Sequence, residues 1–386
     1  MRIGIDARFL THPQPGGFKT YTENLVKALA ELDHKNEYFL YLDREPSQLD
    51  LIPNQTNFQA RVIAGSQPVM GFPWREQIKL PRQVSRDQLE LFHSPCLTAP
   101  LKLDCPMVIT VHDMIWAFPE RYSQNGTFSS KRKLMEWYNY LVPARAIKRA
   151  SAIITVSNVA RESIVEYLDY PLEKIYVTWE AARASFMQIS DRQCLNTVRA
   201  RYQLHSKFIL AIGSADPRKN INTLVRAYSM LPTKFREEYQ LAIVWAHSHL
   251  TDGLSKQVAG LGIGGKVRFL ENVTNEDLGL LYNSASLFVF PSLYEGFGLP
   301  LLEAMACGVP VIAANTSSIP EVAGDAALLF EATDAKGIAE TVAYVLDNED
   351  VRLSLIQKGF QRNAIFSWEK CAYETLSVYK NVLDSQ

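Results

Sequence analysis

The chain has 386 residues, 47% of them apolar and 21% charged, and forty Lys and Arg against forty-one Asp and Glu leave a net charge of -1. At roughly 100–200 residues per domain, this length predicts more than one domain. The composition excludes general disorder, and the even charge supplies no overall basic field to steer the chain toward nucleic acid. Cys96, Cys105, Cys194, Cys307 and Cys371 are scattered, without a C-x-x-C or Cys/His cluster, so the sequence suggests neither a disulfide framework nor a zinc site. Arg2, Asp6 and Arg8 stand where a signal peptide needs its apolar segment, and no later stretch is apolar for long enough to cross a bilayer. A cytoplasmic protein, soluble or peripheral, is expected.

The first run, from Arg2 to Ala7, reads as a strand. It leads through Pro13, Pro15, Gly16 and Gly17 into a helical stripe of Tyr21, Leu25, Val26, Leu29 and Leu32. Further strands are predicted at Glu37–Leu42, Phe58–Ala64, Glu90–His93, Met107–Val111, Ser151–Val156 and Lys174–Trp179. Most are continuous β-branched or aromatic runs, which implies burial on both faces and so a parallel sheet between helices. Ala181–Arg201 shows neither period and reads as a linker.

Near residue 208 the pattern restarts. Phe208–Ile212 predicts a strand, a turn runs to Lys219, and Ile221, Leu224, Val225, Tyr228 and Leu231 form a helical stripe. Strands follow at Leu241–Trp245, Val267–Leu270, Leu287–Phe290, Val309–Ala313 and Ala327–Phe330, alternating with helical patterns around Asp277–Tyr282, Leu301–Ala306 and Ile338–Leu346. The prediction is α/β, with two doubly wound Rossmann-like domains at 1–185 and 186–365 and an interdomain ligand cleft. A last helix within 366–386 places Ala372, Leu376, Tyr379 and Val382 on one face, suited to packing back on the first domain.

In such folds ligands bind beyond the carboxyl ends of the strands, so the chemistry is sought in those loops. The richest runs from Pro291 through Glu295, Gly296, Phe297, Gly298 and Leu299 to Pro300, Glu303 and Gly308. Its glycines permit close backbone approach, Pro300 suits a first helical turn and Gly308 its end, and a helix N-terminus there can receive an anion. Glu295 before the helix and Glu303 inside it can address different parts of one ligand. Spacing alone is equally satisfied by a solvated Glu295 and a Glu303 that complements the helix dipole.

The whole segment E-G-F-G-L-P-L-L-E-A-M-A-C-G-V-P-V-I closely resembles the Glu-x7-Glu motif of retaining glycosyltransferases of family 4, which have the GT-B fold. The resemblance extends to Pro15-Gly16-Gly17, Val111-His112-Asp113, Ile154-Thr155-Val156-Ser157, Pro217-Arg218-Lys219-Asn220 and Phe366-Ser367-Trp368-Glu369. It spans nearly the whole chain and is nearest to the bacterial mannosyltransferase-type branch. It implies a nucleotide-sugar donor held mainly by the second domain and a saccharide or lipid-linked saccharide acceptor held mainly by the first.

By that resemblance Glu303 binds the nucleotide ribose, while Glu295 and the backbone of Gly296, Phe297, Gly298 and Leu299 hold the transferring sugar and donor. Arg218 and Lys219 fall at the donor diphosphate, where positive charge stabilises the leaving group. Many relatives carry Gly-Arg at the preceding strand end. This chain has Gly213-Ser214, and Arg218 stands as the candidate replacement for the missing guanidinium. His112, one residue beyond a strand, is implied to contact the donor sugar through a neutral ring nitrogen. The backbone of Gly16 and Gly17 is implied to approach diphosphate and acceptor; on their own the two glycines would be an ordinary turn. The nucleotide base is expected near Val267–Leu270, where Glu271 replaces a glycine frequent in relatives.

Phe92-His93-Ser94-Pro95 and Trp74-Arg75-Glu76-Gln77 are candidates for an acceptor wall, and equally for packed loops. His247 and His249 have no third partner and read as a polar loop rather than a metal site. No D-x-D occurs anywhere, so no metal and no other cofactor is expected. Lys131, Lys133, Arg145, Lys148 and Arg149 flank Leu134, Trp137, Tyr138 and Leu141 at helical spacing, which suits either an anionic membrane surface or an ordinary surface helix that Pro143 interrupts. The function expected is transfer of a hexose, mannose from GDP-mannose first. A GT-B epimerase, a phosphorylase and an inactive nucleotide-sugar-binding subunit are the alternatives.

Overall fold

The computed structural model describes residues 1–13, 16–46, 51–65, 71–117, 130–246 and 252–385. Pro15, His247 and His249, and the side chains of Lys131, Lys133 and Leu134, lie outside that description. The chain divides into two compact units, Met1–Glu180 with Ser367–Gln386, and Ala181–Phe366. The second unit thus begins five residues before the expected 186, and its Phe186 is buried with its ring against Tyr282, centroids 5.8 Å apart.

Each unit is built on one parallel sheet. In the first, β1 (Arg2–Ile5), β2 (Glu37–Leu42), β3 (Phe58–Val62), β4 (Leu91–Ser94), β5 (Met107–Val111), β6 (Ala152–Thr155) and β7 (Ile175–Val177) lie in the order β3-β2-β1-β4-β5-β6-β7. Every neighbouring pair is parallel. The continuous apolar runs are the cause. β4, β5 and β6 are buried along their whole length, which only helices on both faces allow. Helix Ser130–Arg149 continues through Pro143, which removes one backbone donor without ending it.

The helix Trp368–Asp384 belongs to this first unit and packs on helix Gly17–Leu32. Ser367 caps it, its hydroxyl accepting from the Lys370 amide at 3.1 Å, and it buries Ala372, Leu376, Tyr379 and Val382. The Tyr379 hydroxyl reaches His93 Nδ1 at 2.6 Å, and His93 Nε2 meets Thr110 Oγ1 at 2.8 Å. Burial, and then the nearby His112, pull the His93 pKa from 6.5 down to about 3. The folded ring stays neutral while the unfolded one protonates near 6.5. Its contribution to stability is therefore complete above pH 6.5 and is lost as pH falls toward 3. His93→Gln should flatten that part of the stability profile, measured as urea midpoints between pH 7.5 and 5; an unchanged slope would reject the assignment.

In the second unit β8 (Phe208–Ser214), β9 (Gln240–Ala246), β10 (Val267–Leu270), β11 (Leu287–Phe290), β12 (Val311–Ala314) and β13 (Ala327–Phe330) lie in the order β10-β9-β8-β11-β12-β13, again all parallel. The order reverses between β8 and β11, the switch point at which open α/β sheets bind ligands. The linker expectation for Ala181–Arg201 is corrected in its second half. Arg192–Arg201 is a helix, capped by Asp191 Oδ1 accepting from the Gln193 amide at 2.8 Å. It buries Val198 alone, so the sequence carries no apolar period there.

Candidate active site

Two loops leave β8 and β11 side by side at the switch point. After β8, Asp216 caps the short 3-10 turn Pro217–Lys219, and Asn220 takes the left-handed conformation, φ 54°. Its side-chain amide donates to the carbonyls of Pro291 (3.0 Å) and Ala332 (2.7 Å). The Leu293 amide donates to the Arg218 carbonyl at 2.7 Å and joins the two loops. Lys219 Nζ then lies 2.6 Å from Glu295 Oε1, both side chains mostly buried. The structure thus brings together, as one ion pair, two residues that the sequence had assigned to different parts of the ligand.

Arg218 is held differently. Its Nε and Nη2 lie 2.8 and 2.6 Å from Asp216 Oδ2, so the guanidinium already carries a carboxylate. Ser214 Oγ accepts from the Asp216 amide at 3.2 Å and supports the same turn.

The loop bearing Glu295 is fixed from the segment after β12. The Glu295 amide donates to Ser317 Oγ, and Ser318 Oγ is shared between the carbonyls of Glu295 and Phe297, each at 2.9 Å. Phe297 is buried against Phe366, ring centroids 5.7 Å apart. Gly298 has φ 110°, a conformation that disfavours any side chain, and turns the chain into helix Leu299–Ala306. Pro300 sits in its first turn, as expected, and Gly308 follows its end at φ 74°. Glu303 is buried inside this helix and accepts from the Tyr282 hydroxyl at 3.3 Å. Burial, reinforced by Glu303, pushes the Tyr282 phenol well above its ordinary range and keeps it a donor.

In the first unit His112 follows β5 directly. Its ring packs edge-on against Phe18 (4.9 Å) and Tyr21 (4.7 Å) of helix Gly17–Leu32, and its Nδ1 lies 3.0 Å from Glu180 Oε1. Its Nε2 is buried with no hydrogen-bond partner. Gly16 precedes this helix and Gly17 begins it; a Cβ at either position would meet nothing within 4 Å, so packing does not require glycine there.

Of the two readings of residues 92–95 and 74–77, the packed one holds for all but Trp74 and Gln77. His93 and Ser94 are buried strand residues, and Arg75 and Glu76 are fully buried, with Arg75 Nη2 on Asp6 Oδ1 at 3.0 Å and Glu76 Oε2 on Arg8 Nη1 at 2.7 Å. Charges so placed need partners inside the protein, and these carboxylates are occupied by them. Trp74 is exposed. Sequence reasoning gave no role to Asn220, Tyr282, Ser317, Ser318 or Glu180. Asn220 closes the Pro-Arg-Lys turn and was within reach, whereas the others act through contacts distant in sequence.

Among the described residues no three His, Cys, Asp or Glu side chains group as metal ligands, and no helix is long and apolar enough to cross a membrane.

Two parallel-sheet units, with a basic turn and a glycine-flanked acidic loop at the switch point of the second, define a glycosyltransferase of the GT-B fold. Residues 199–362 match the model of the group 1 glycosyl transferases and residues 15–179 that of glycosyltransferase family 4. The O-antigen chain mannosyltransferase B of Escherichia coli is 32% identical over 377 residues, 94% of this chain and 96% of its own length. Among solved structures, the sucrose-phosphate synthase of Thermosynechococcus elongatus superposes over 100% of both chains with a TM-score of 0.78 at 19% identity. Anabaena HepE in complex with UDP-glucose does so over 98% of this chain and 99% of its own, with a TM-score of 0.76 at 17% identity. The chain belongs to glycosyltransferase family 4.

Proposed function

We propose that the protein is a retaining hexosyltransferase that moves mannose from GDP-mannose to a hydroxyl of a saccharide or lipid-linked saccharide. The observation that carries the reading is the grouping of Lys219 and Glu295 on loops fastened to one another at the switch point of the second sheet, with the buried Glu303 in the helix that follows. Mannose is favoured by the relative's activity over nearly the full chain, and a nucleoside diphosphate donor by the UDP-glucose that HepE binds.

In this reading Glu303 accepts from the ribose hydroxyls, Glu295 with Gly296, Phe297, Gly298 and Leu299 holds the transferring sugar, and His112 accepts from one of its hydroxyls. Gly16 and Gly17 offer backbone to the diphosphate and acceptor. As the glycosidic bond breaks, the departing phosphate oxygen takes the proton of the acceptor hydroxyl, which attacks the anomeric carbon on the same face. Lys219, assisted by Arg218, stabilises the charge left on the phosphate. No carboxylate nucleophile is needed, and Glu295, already paired with Lys219, is not cast as one. Side chains and backbone handle the diphosphate without a divalent ion. A lipid-linked acceptor would bring the enzyme to the inner face of the cell membrane, for which the exposed Trp137, Tyr140, Lys148 and Arg149 of helix Ser130–Arg149 are suited.

A thermal-shift and transfer panel of GDP-, UDP- and ADP-sugars, run with and without EDTA, tests this. A ligand at a hundred times its dissociation constant adds about 2.7 kcal/mol to stability. GDP-mannose should give the largest shift and support transfer with retained anomeric configuration, and EDTA should leave activity largely intact. A larger shift with another donor would reject mannose, and activity lost to chelator and restored by magnesium would reject the metal-free mechanism.

A further inference from the structure

We propose that Glu180 is a positioning residue that fixes His112 in one tautomer and thereby decides which way its hydrogen bond to the transferring sugar runs. The proposal rests on the reading that His112 meets that sugar, and it assigns a residue that no motif marks. Glu180 Oε1 lies 3.0 Å from His112 Nδ1, and the two side chains are 5% and 12% exposed. A carboxylate can only accept, so in the neutral ring Nδ1 carries the hydrogen and Nε2 keeps its lone pair. That Nε2 is buried and has no partner in the protein. An orphaned buried acceptor is costly, and it is supplied by a ligand that donates. A sugar hydroxyl does so; a phosphate oxygen or a carbonyl does not.

The surroundings show that the dyad is built rather than incidental. Phe18 and Tyr21, three residues apart on one helix, both pack near-perpendicular to the His112 ring with centroids within 5 Å, which restricts its freedom to turn. Glu180 is carried by backbone anchored just before it: the Thr178 amide donates to the Thr155 carbonyl at 2.8 Å, extending the β6–β7 pairing. Cys371 Sγ lies 3.7 Å from Thr178 Oγ1, and Lys370 Nζ stands 5.2 Å from the Trp179 ring centroid. Both come from helix Trp368–Asp384. That helix therefore packs against the segment that carries Glu180.

The test uses the full chain with 15N-labelled histidine and two-bond proton–nitrogen spectra at a pH where His112 is neutral, with His112→Asn as the assignment control. Wild-type His112 should show a protonated Nδ1 and a bare Nε2. Glu180→Gln, which can donate as well as accept at nearly the same size, should populate the opposite tautomer; Glu180→Asp, still acceptor-only, should restore much of the original. In parallel, kcat of Glu180→Gln should fall by about ten- to a hundredfold, the cost typical of removing a histidine's orienting partner. Affinity for the nucleoside diphosphate should stay within about twofold. Adding Glu180→Gln to His112→Asn should cost little more than His112→Asn alone. A protonated Nε2 in the wild type, or a tautomer indifferent to Glu180→Gln, overturns the positioning role and leaves the His112 contact standing. Full activity in Glu180→Gln despite a changed tautomer overturns it as well. A fully active His112→Asn enzyme overturns the sugar contact itself and this proposal with it.

Discussion

Lys219→Ala should lower kcat by roughly a hundred- to a thousandfold while the protein remains folded. The ammonium would stabilise charge on the departing diphosphate, and one preorganised group facing developing charge contributes about 2.7–4 kcal/mol. In the resting structure the variant gives up the 2.6 Å pair with Glu295 and a cation-π contact 5.8 Å from the Phe290 ring centroid, and Lys219 keeps 22% exposure, so about 1 kcal/mol of stability is at stake. Turnover and stability thus separate. Steady-state kinetics alongside a melting curve would show it, and activity within a few-fold of the parent would remove Lys219 from the mechanism. Arg218→Ala supplies the comparison. Because Asp216 already neutralises much of that guanidinium, a loss as large as at Lys219 would mean that the donor draws Arg218 away from Asp216. A near-neutral result would leave the leaving group to Lys219.

Both sheets were legible because most of their strands are short continuous apolar runs, β3 and β10 excepted, and burial on two faces leaves that mark in sequence whatever the tertiary contacts. Where an element buries little, the mark fades. Arg192–Arg201 buries Val198 alone and read as linker; Glu349–Asn363 buries Leu355 and Gly359 and was not anticipated. Charge left a different ambiguity. Arg75 and Glu76 suited an acceptor wall as well as a packed loop, and they form a buried ionic group with Asp6 and Arg8; composition cannot tell a paired charge from a solvated one.

For the site, residues that need a special backbone were readable. Gly298, Pro300 and Gly308 bracket a helix start and stop, and Glu295 and Glu303 are positioned by that frame. The residues that hold them were not. Tyr282 reaches Glu303 from another helix, Ser318 reaches the Glu295 carbonyl from beyond β12, and Glu180 lies 68 residues from His112. A side chain that works through a distant contact has no local spacing to betray it.

The two glutamates should fail in different ways when replaced. Glu303 lies inside the helix against Tyr282; its proposed partner, the ribose, changes little as the sugar bond breaks. Glu303→Ala removes an interaction equally strong in ground and transition states, so it should raise the Michaelis constant for donor more than it lowers kcat, and weaken free nucleoside diphosphate to a similar degree. Leaving the Tyr282 hydroxyl without its acceptor adds about 1–3 kcal/mol of destabilisation, so the melting temperature should fall too. The proposed partner of Glu295 is the transferring sugar, whose ring would flatten and gain positive charge at the transition state. Glu295→Gln keeps the size and removes the charge, and kcat should fall by roughly tenfold or more. Product affinity provides the discriminating measurement. Glu295→Gln also frees Lys219 from a 2.6 Å ion pair, so the lysine is left with the diphosphate as its counter-charge, and affinity for nucleoside diphosphate should hold or rise slightly. Calorimetry with that product on both variants decides the division of labour. If Glu295→Gln abolished product binding and Glu303→Ala spared it, the two roles would be exchanged.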